Sequence, residues 1–470
     1  MKKTKIIYPL VFTIICIVPF LLFFVESESK HKDLADVQIE FLELNNEIPV
    51  IFIPNNKVPA ILNMIWYKVG GIDEPENKTG IAHFFEHIIF HNTENFKKGD
   101  YDGFLESIGG SNNAFTSFDY TSYFATFPNK YYEQVINYEF DRLNNLIFDA
   151  DLIENERKII LEERLLRKDN NPSQELLISA KQELFSNESP YARPLIGYEK
   201  DLHHISVTDL VSFKKSHYNF HNMFLVVSGD IDKTELLEIL NRKYAEYFDT
   251  NIAKPKATLE NDIIFPEIKT KYFVKETHKT DSYNINWIYR INNFYNQDVK
   301  SRYALVILDN MLSGLPNSIL KKNFVLDKQI AESASAGYSN ISRAGANYFA
   351  LSFSLSDKYK ITELNKQIAL IVQNLKLGRF DQKLFESAKQ NLLAKSIYQK
   401  ESFKTLGYNI GFAYAAGMNK EDIINWDNNI AKVRYRDVIE VANQIFVNDN
   451  LVKTYLIPEG DNEFKNMIHE

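Results

Sequence analysis

The chain has 470 residues, of which 45% are hydrophobic and 25% charged, a composition typical of folded globular proteins rather than disordered ones. Its length exceeds what one ordinary hydrophobic core organises, so we expect two to four domains. The formal net charge of -8 comes from mixed charges without a long basic run, which argues against nucleic-acid binding.

Residues 1–29 have the layout of a secretory leader. Lys2, Lys3 and Lys5 precede an uncharged run over residues 6–25, and polar residues follow at 26–29. The run is also long enough to span a bilayer, so an uncleaved inner-membrane anchor is the alternative to a cleaved signal peptide. In both cases we expect an exported protein, in the periplasm of a Gram-negative cell or on the inner membrane facing it.

The single cysteine, Cys16, lies inside this leader. The exported part of the chain then contains no cysteine, which excludes disulfides and thiol catalysis there. Its stability must come from burial of a hydrophobic core.

After the leader, short β-rich runs alternate with amphipathic helices. The predicted strands are 37–42, 50–53, 62–69, 115–126 and 224–228. The predicted helices are 81–89, 101–108, 131–146, 150–168 and 235–248.

The first of these helices contains the sequence His-Phe-Phe-Glu-His at residues 83–87. Residues four apart on a helix lie one above the other, so His83 and His87 can both offer a ring nitrogen to one cation, with Glu86 beside them. A hydrolytic zinc site needs three protein ligands and an open fourth position. The pentapeptide therefore predicts a zinc site that lacks one ligand, and a chance match on a solvated helix face is the alternative.

The helix predicted at 150–168 can supply that ligand. Glu156 and Glu163 are seven residues apart, two turns along one face. One of them can bind the metal while the other orients a residue that does so.

A weak internal repeat indicates the domain plan. Asp209 precedes Asn222 by the same interval that separates Asp437 from Asn450 in the second half of the chain. If the second half repeats the first with the offset between these two pairs, the counterpart of His83 falls near Met311, where no histidine occurs. The second half is therefore expected to be catalytically silent. We predict a leader at 1–29, a catalytic zinc domain at 30–250, a linker at 251–258 and a silent domain at 259–470.

Taken together, these motifs closely resemble the pitrilysin/insulinase family of zinc peptidases, the inverzincins, and their bacterial two-domain processing-peptidase-like branch. The resemblance rests on the HxxEH motif followed downstream by Glu163, on the glycine pair and Asn-rich segment at 109–117, on Pro190 to Gly197, and on Val226 to Asp230.

The resemblance implies one zinc ion per chain, with His83, His87 and Glu163 as its ligands. Glu86 would be the general base that takes a proton from a zinc-bound water and later passes it to the leaving amine. Glu156 would be a carboxylate that supports the ligands from behind.

Two nearby residues are not expected to bind the metal. Glu162 is interpreted as a solvated helix charge, and His91, one turn past the motif, as a residue outside the ligand set.

The resemblance also assigns a substrate-binding strand. Asn113, Ala114, Phe115 and Thr116 would pair their backbone with an extended peptide by β-augmentation. Such backbone pairing depends little on the amino-acid sequence of the substrate, so the expected substrates are peptides and unfolded segments. The alternative is an ordinary sheet strand.

One departure from the family pattern concerns the second half. Family members often carry an Arg and a Tyr seven residues apart that hold the substrate carbonyl, and here Val325 and Glu332 stand in those places. This predicts a dimer, and specifically that the chain is the active partner of a heterodimer whose zinc-less homologous subunit supplies the pair.

The resemblance implies an α+β fold: two homologous α/β rolls, each a mostly antiparallel sheet of about six strands with helices on one face, arranged as a clamshell. The favoured function is an exported zinc-dependent endopeptidase. A non-proteolytic structural or assembly subunit of the same fold and a non-hydrolytic metal-binding module are the alternatives.

Overall fold

The computed structural model describes residues 37–45, 47–247, 265–291, 299–339 and 345–468. The predicted leader at 1–29 and the predicted linker at 251–258 lie outside these ranges. Among the described helices, none combines the length and the apolar character needed to cross a bilayer.

The first half of the chain builds a six-stranded sheet. Its strands are β1 (Glu40–Leu44), β2 (Ile48–Pro54), β3 (Ala60–Tyr67), β4 (Ser111–Thr116), β5 (Thr121–Pro128) and β6 (Met223–Gly229). The strand order is β1-β2-β6-β3-β5-β4, and only the β2–β6 pair is parallel. This order leaves β4 at the edge of the sheet, where β5 is its only neighbour among the described strands.

The single strand predicted at 115–126 is wrong, because the segment is the hairpin formed by β4 and β5. The backbone N–H of Ser117 donates to the carbonyl of Tyr120 at 2.8 Å and closes the turn. The alternation of apolar and polar residues continues through this turn, so the sequence pattern gave no break. The carbonyls of Ser117 and Phe118 are turned aside to accept from Gly71 and Ile72, a contact made between distant segments.

The described part of the first half contains eight helices. They are α1 (Ile81–Ile88), α2 (Asp100–Ser107), α3 (Tyr132–Asn144), α4 (Ala150–Arg164), α5 (Pro172–Phe185), α6 (Glu199–His204), α7 (Val207–His217) and α8 (Lys233–Tyr247). All of them except α5 lie on the inner-face side of this sheet. Strand β3 is buried on both faces: Ile65 and Tyr67 point into the core under α1, whereas Leu62 and Trp66 point to the opposite face. A second layer must therefore cover the outer face.

The second half repeats the arrangement with five described strands. They are β7 (Tyr272–Thr277), β8 (Tyr283–Ile291), β9 (Ser333–Ser339), β10 (Asn347–Leu355) and β11 (Leu451–Pro458). The order is β7-β11-β8-β10-β9, with only β7–β11 parallel. This is the order of the first sheet without a counterpart of β1 among the described residues. The predicted α+β fold with two mostly antiparallel sheets is confirmed.

The helices of the second half follow the same plan. They are α9 (Val299–Asp309), α10 (Ile361–Lys376), α11 (Gln382–Glu401), α12 (Phe403–Ala415), α13 (Lys420–Ile424), α14 (Trp426–Lys432), α15 (Tyr435–Ile445) and α16 (Asn462–Met467). Helices α7 and α15 begin at equivalent positions of the repeat, with the same local contact. The Asp209 carboxylate accepts from the N–H of Ser206 at 2.8 Å, and that of Asp437 from the N–H of Arg434 at 2.9 Å. Met311, where the repeat placed a silent counterpart of the histidine motif, is buried in the second core.

The two halves exchange one helix each, so the prediction of helices on one face only is incomplete. Helix α12 of the second half packs on the outer face of the first sheet, against β3 and β6. Helix α5 of the first half packs on the outer face of the second sheet, against β11 and β7. The physical reason is that both faces of each sheet are apolar and must be removed from water.

Helix α12 approaches the first sheet closely at Gly411. A Cβ atom added there would lie 2.5 Å from the Trp66 ring, which is fully buried. The contact leaves no room for any other residue without displacement of that ring.

We predict that Gly411→Ala lowers the free energy of unfolding by about 1–2 kcal/mol, because overpacking outweighs the gain of up to about 1 kcal/mol that alanine brings to a helix. The matched control is Gly103→Ala in α2, where an added Cβ meets nothing within 4 Å. Urea denaturation of both variants checks this. A shift of both variants in the same direction would contradict the packing argument.

Candidate metal centre

Helix α1 starts at a point that only glycine tolerates. Gly80 has a φ of 87°, and a Cβ added there would lie 2.6 Å from the carbonyl of Ile196. No side chain caps the helix from this position; instead a Glu74 carboxylate oxygen accepts from the N–H of Ala82 at 3.1 Å. Burial raises the pKa of Glu74 to about 8, although the backbone N–H groups of the helix oppose the shift. The segment at 194–197 thus fixes where α1 begins.

Helix α4 is held against α1 by a buried arginine. The guanidinium of Arg157 donates to the carbonyls of Leu202 and Ile205, which end α6, the second at 2.6 Å. It also lies 5.3 Å from the ring centroid of Phe84 in α1. This contact sets the position of α4 along α1.

The packing of α4 on α1 brings three metal-binding side chains together. The ligand atoms of His83, His87 and Glu163 all lie within 4.8 Å of one another. Nε2 of His83 is 3.8 Å from one oxygen of Glu163, and Nε2 of His87 is 3.5 Å from the other. Arg167, in the π-helical turn at 165–169 that follows α4, pairs with Glu163 at 2.7 Å.

The charges of this group suit a divalent cation. Burial, and then the proximity of His87, lower the pKa of His83 to about 4, so its imidazole is neutral, the form that binds metal. Burial by itself would lower the pKa of His87. Hydrogen bonds to Glu156 and Glu163 outweigh this effect and raise the pKa of His87 to about 9. Two imidazoles and one carboxylate are the ligand types of hydrolytic zinc sites. The three residues therefore fit a zinc ion.

Glu156 lies behind the ligands rather than among them. Its two oxygens accept from Nδ1 of His87 and from Nε2 of His91, each at 2.9 Å, and Nζ of Lys98 lies 3.1 Å away. Despite burial, these partners hold the pKa of Glu156 well below its usual range. The carboxylate thus orients the His87 ring so that Nε2 faces the metal position.

The roles of His91 and Lys98 as partners of Glu156 were missed by sequence reasoning. His91 faces Glu156 and lies outside the ligand group, as does Glu162, which is exposed. The available signal was the spacing of four residues from His87, about one helical turn. In the structure His91 lies just beyond α1, which ends at Ile88.

Glu86 contacts the predicted substrate strand. Its carboxylate accepts from the hydroxyl of Thr116 at 2.5 Å, and Thr116 is the last residue of β4. Burial raises the pKa of Glu86, with the Thr116 hydrogen bond opposing. A raised pKa suits a carboxylate that must accept and return a proton near neutral pH.

The strand β4 has the form that peptide pairing requires. One edge pairs with β5, and no other described strand occupies the free edge. Asn113 is exposed, and Phe115 stacks on Phe412 of α12 with ring centroids 5.3 Å apart. Ala114 packs against the opposite face, toward the core under α1. The strand is anchored on both faces, and its backbone edge is left for an extended peptide.

The two positions at which the resemblance led us to expect an Arg and a Tyr are occupied by Val325 and Glu332. Val325 lies in a π-helical turn at 321–327, and Glu332 is an exposed residue directly before β9. The N–H of Glu332 donates to the carbonyl of Ser354 at 2.8 Å.

Comparison with known proteins gives consistent matches. A family model described as insulinase (peptidase family M16) matches residues 50–198, and one described as peptidase M16 inactive domain matches residues 204–392. The zinc protease PqqE of Helicobacter pylori is 27% identical over 431 residues, which cover 89% of this chain and 93% of that protein. A probable mitochondrial-processing peptidase subunit beta of Arabidopsis thaliana is 26% identical over 182 residues, 39% of this chain and 34% of its own. The crystal structure of a protease from Helicobacter pylori superposes with a TM-score of 0.81 at 24% identity, covering 90% of this chain and 99% of that one.

We predict that Glu163→Gln releases zinc while Glu162→Gln does not. The two residues are adjacent on α4 and lose the same charge, but only Glu163 faces the histidines. Glu156→Gln should weaken zinc binding by about 10- to 100-fold, because it frees the His87 ring. Competition with a chelator measures all three affinities. Equal zinc affinity of the Glu162 and Glu163 variants would exclude this ligand set.

We also predict that zinc affinity rises with pH below about 9. His87 holds a proton in the metal-free site up to its pKa of about 9 and must release it to bind, so each pH unit below 9 weakens binding about tenfold. Glu156→Gln removes the largest contact that raises this pKa and should flatten the slope. Affinities at pH 6, 7, 8 and 9 test this, and a slope that is the same in both proteins would contradict it.

Proposed function

This chain belongs to the insulinase family of peptidases, family M16, and on that premise we propose that it is a zinc-dependent endopeptidase that hydrolyses peptides or unfolded protein segments. The observation that carries the proposal is the hydrogen bond between Glu86 and Thr116. It joins the carboxylate beside the metal-binding group to the end of the free strand edge on which a peptide can lie.

A zinc ion held by His83, His87 and Glu163 would supply Lewis acidity, which lowers the pKa of a water and polarises a substrate carbonyl. The chain supplies the rest of the chemistry. Glu86 takes a proton from the attacking water and returns it to the nitrogen of the leaving amine, so that one carboxylate serves both halves of the hydrolysis. Its raised pKa makes it a better proton acceptor than an ordinary carboxylate.

The remaining residues position these reactants. Glu156 holds the His87 ring, and the backbone of 113–116 pairs with the substrate in an extended form. An extended peptide is available only from short or unfolded chains, which gives the expected substrate class.

We further propose that the chain is exported and acts as the catalytic subunit of a heterodimer. The charged, apolar and polar regions of residues 1–29 support export to the periplasm. Val325 and Glu332, in the places of the Arg and Tyr of related peptidases, support a partner that contributes those groups. The similar plant protein is itself named as a subunit. The competing function, a non-proteolytic assembly subunit, does not require the complete ligand group that this chain has.

We predict that Glu86→Gln keeps its zinc but lowers kcat by at least about 10²-fold, because the proton carrier is lost while the ligands remain. His83→Ala should lose both zinc and activity, and Glu162→Gln should lose neither. Zinc content and cleavage of a quenched fluorescent peptide are the measurements.

Wild-type rates in the Glu86 variant would exclude the peptidase mechanism. Full activity of the purified chain as a monomer would instead exclude the heterodimer and leave the peptidase intact.

A further inference from the structure

A cavity of about 260 Å³ lies between the two halves, directly beyond the end of β4. Its walls are the β4–β5 turn, helix α5 and the segment at 190–192 from the first half, and strands β9 and β10 from the second half. Aromatic rings dominate the part of its lining that the structure describes, and Lys181 of α5 is the one cation among those residues.

Among the described residues, the ammonium of Lys181 has no anionic partner. Its Nζ lies 4.7 Å from the ring centroid of Phe118 and 5.9 Å from that of Tyr348, and it makes no ion pair or hydrogen bond with any residue that the structure describes. The nearby Asp119 carboxylate accepts instead from the hydroxyl of Tyr191 at 2.5 Å. Burial alone lowers the pKa of Lys181 to about 8. A cation between aromatic rings without a counter-charge is a ready binding site for an anion.

The cavity lies next to the peptide-binding edge. Thr116 contacts Glu86, and the next two residues, Ser117 and Phe118, already line the cavity. A peptide residue advances about 3.3 Å along a strand, so a substrate on β4 reaches the cavity within about two or three residues of the bond that faces Glu86.

We propose that this cavity is a substrate subsite that binds a carboxylate of the peptide and that Lys181 determines this specificity. The inference rests on the proposed peptidase function. The carboxylate comes from an Asp or Glu side chain or from the free C-terminus of the peptide, and both form a charge-assisted hydrogen bond with the ammonium. The rings of Phe118 and Tyr348 pack on the methylene groups beside it.

The test uses sets of quenched peptides that differ only in whether one residue is Glu, Gln or Lys. A separate set is made for each of the three positions on either side of the scissile bond. At one position the wild-type protein should prefer Glu over Gln by about 10- to 100-fold in kcat/KM, the strength of a hydrogen bond between charged groups. A second series compares free and amidated C-termini. Loss of cleavage on amidation identifies the terminal carboxylate as the recognised group, and preference for an internal Glu identifies the side chain.

Lys181→Met should lower kcat/KM for the preferred peptide to that of its neutral counterpart and leave the neutral peptide unchanged. Lys181→Arg keeps the charge and should retain most of the preference. The control is Lys130→Met, an exposed lysine 4.8 Å from the Tyr131 ring, at the other end of β5 and about 25 Å from the cavity. Its preference should equal that of the wild type.

Two results would overturn the subsite: a wild-type protein without preference for a carboxylate in either series, or a Lys181→Met variant that loses neutral and acidic peptides equally.

Binding to zinc-loaded Glu86→Gln separates this inference from the proposed function. Fluorescence anisotropy with labelled Glu and Gln peptides measures recognition without cleavage. If the wild-type protein cleaves no peptide but the Glu peptide binds more tightly and Lys181→Met removes the difference, the peptidase function fails and the carboxylate site stands. Equal binding of both peptides overturns the carboxylate site whatever the activity.

Discussion

The contact between helices α1 and α4 is the constraint on which the site depends. It places carboxylates and imidazoles from segments far apart in the chain within a few ångströms, largely out of water. Such a group is costly to bury unless its charges are paired. Here the two ring nitrogens of His87 face the carboxylates of Glu156 and Glu163, and Arg167 forms an ion pair with Glu163. Arg157 of α4 donates to backbone carbonyls at the end of α6 and so holds α4 in position. The metal-free site is therefore already arranged for a cation, with one proton to exchange for it.

The second half of the chain takes part in the site although it carries no histidine motif. Its helix α12 covers the outer face of the first sheet and stacks Phe412 on Phe115, so it supports the strand that would hold a peptide. Its strands β9 and β10 form one wall of the cavity that contains Lys181. The second half thus contributes to the surroundings of the metal-binding group, and to substrate specificity if the proposed subsite is correct. The exchange of α5 and α12 between the halves explains why the two cannot be treated as independent units.

Strand β4 and the turn that follows it connect the surroundings of Glu86 to those of Lys181. The Thr116 hydroxyl donates to Glu86, the proposed general base, and the turn that follows β4 lines the cavity that contains the Lys181 ammonium. If both proposals hold, the reacting bond and the carboxylate subsite would lie along one strand, a few substrate residues apart. Backbone pairing on β4 would provide affinity for any extended peptide, while a charged subsite would select among them.

The sequence by itself determined what depends on local periodicity. The spacing of His83, Glu86 and His87 places them on one face of α1 because of the regular repeat of the α-helix, and the equal intervals around Asp209 and Asp437 located the repeated unit. Most strands and helices were predicted near their observed bounds for the same reason. Only the tertiary structure decided the turn inside 115–126, the pairing of Thr116 with Glu86, the shared carboxylate between His87 and His91, and the isolation of Lys181 among aromatic rings. These contacts join residues far apart in the chain, and their geometry follows from how sheets and helices pack, which no local pattern encodes.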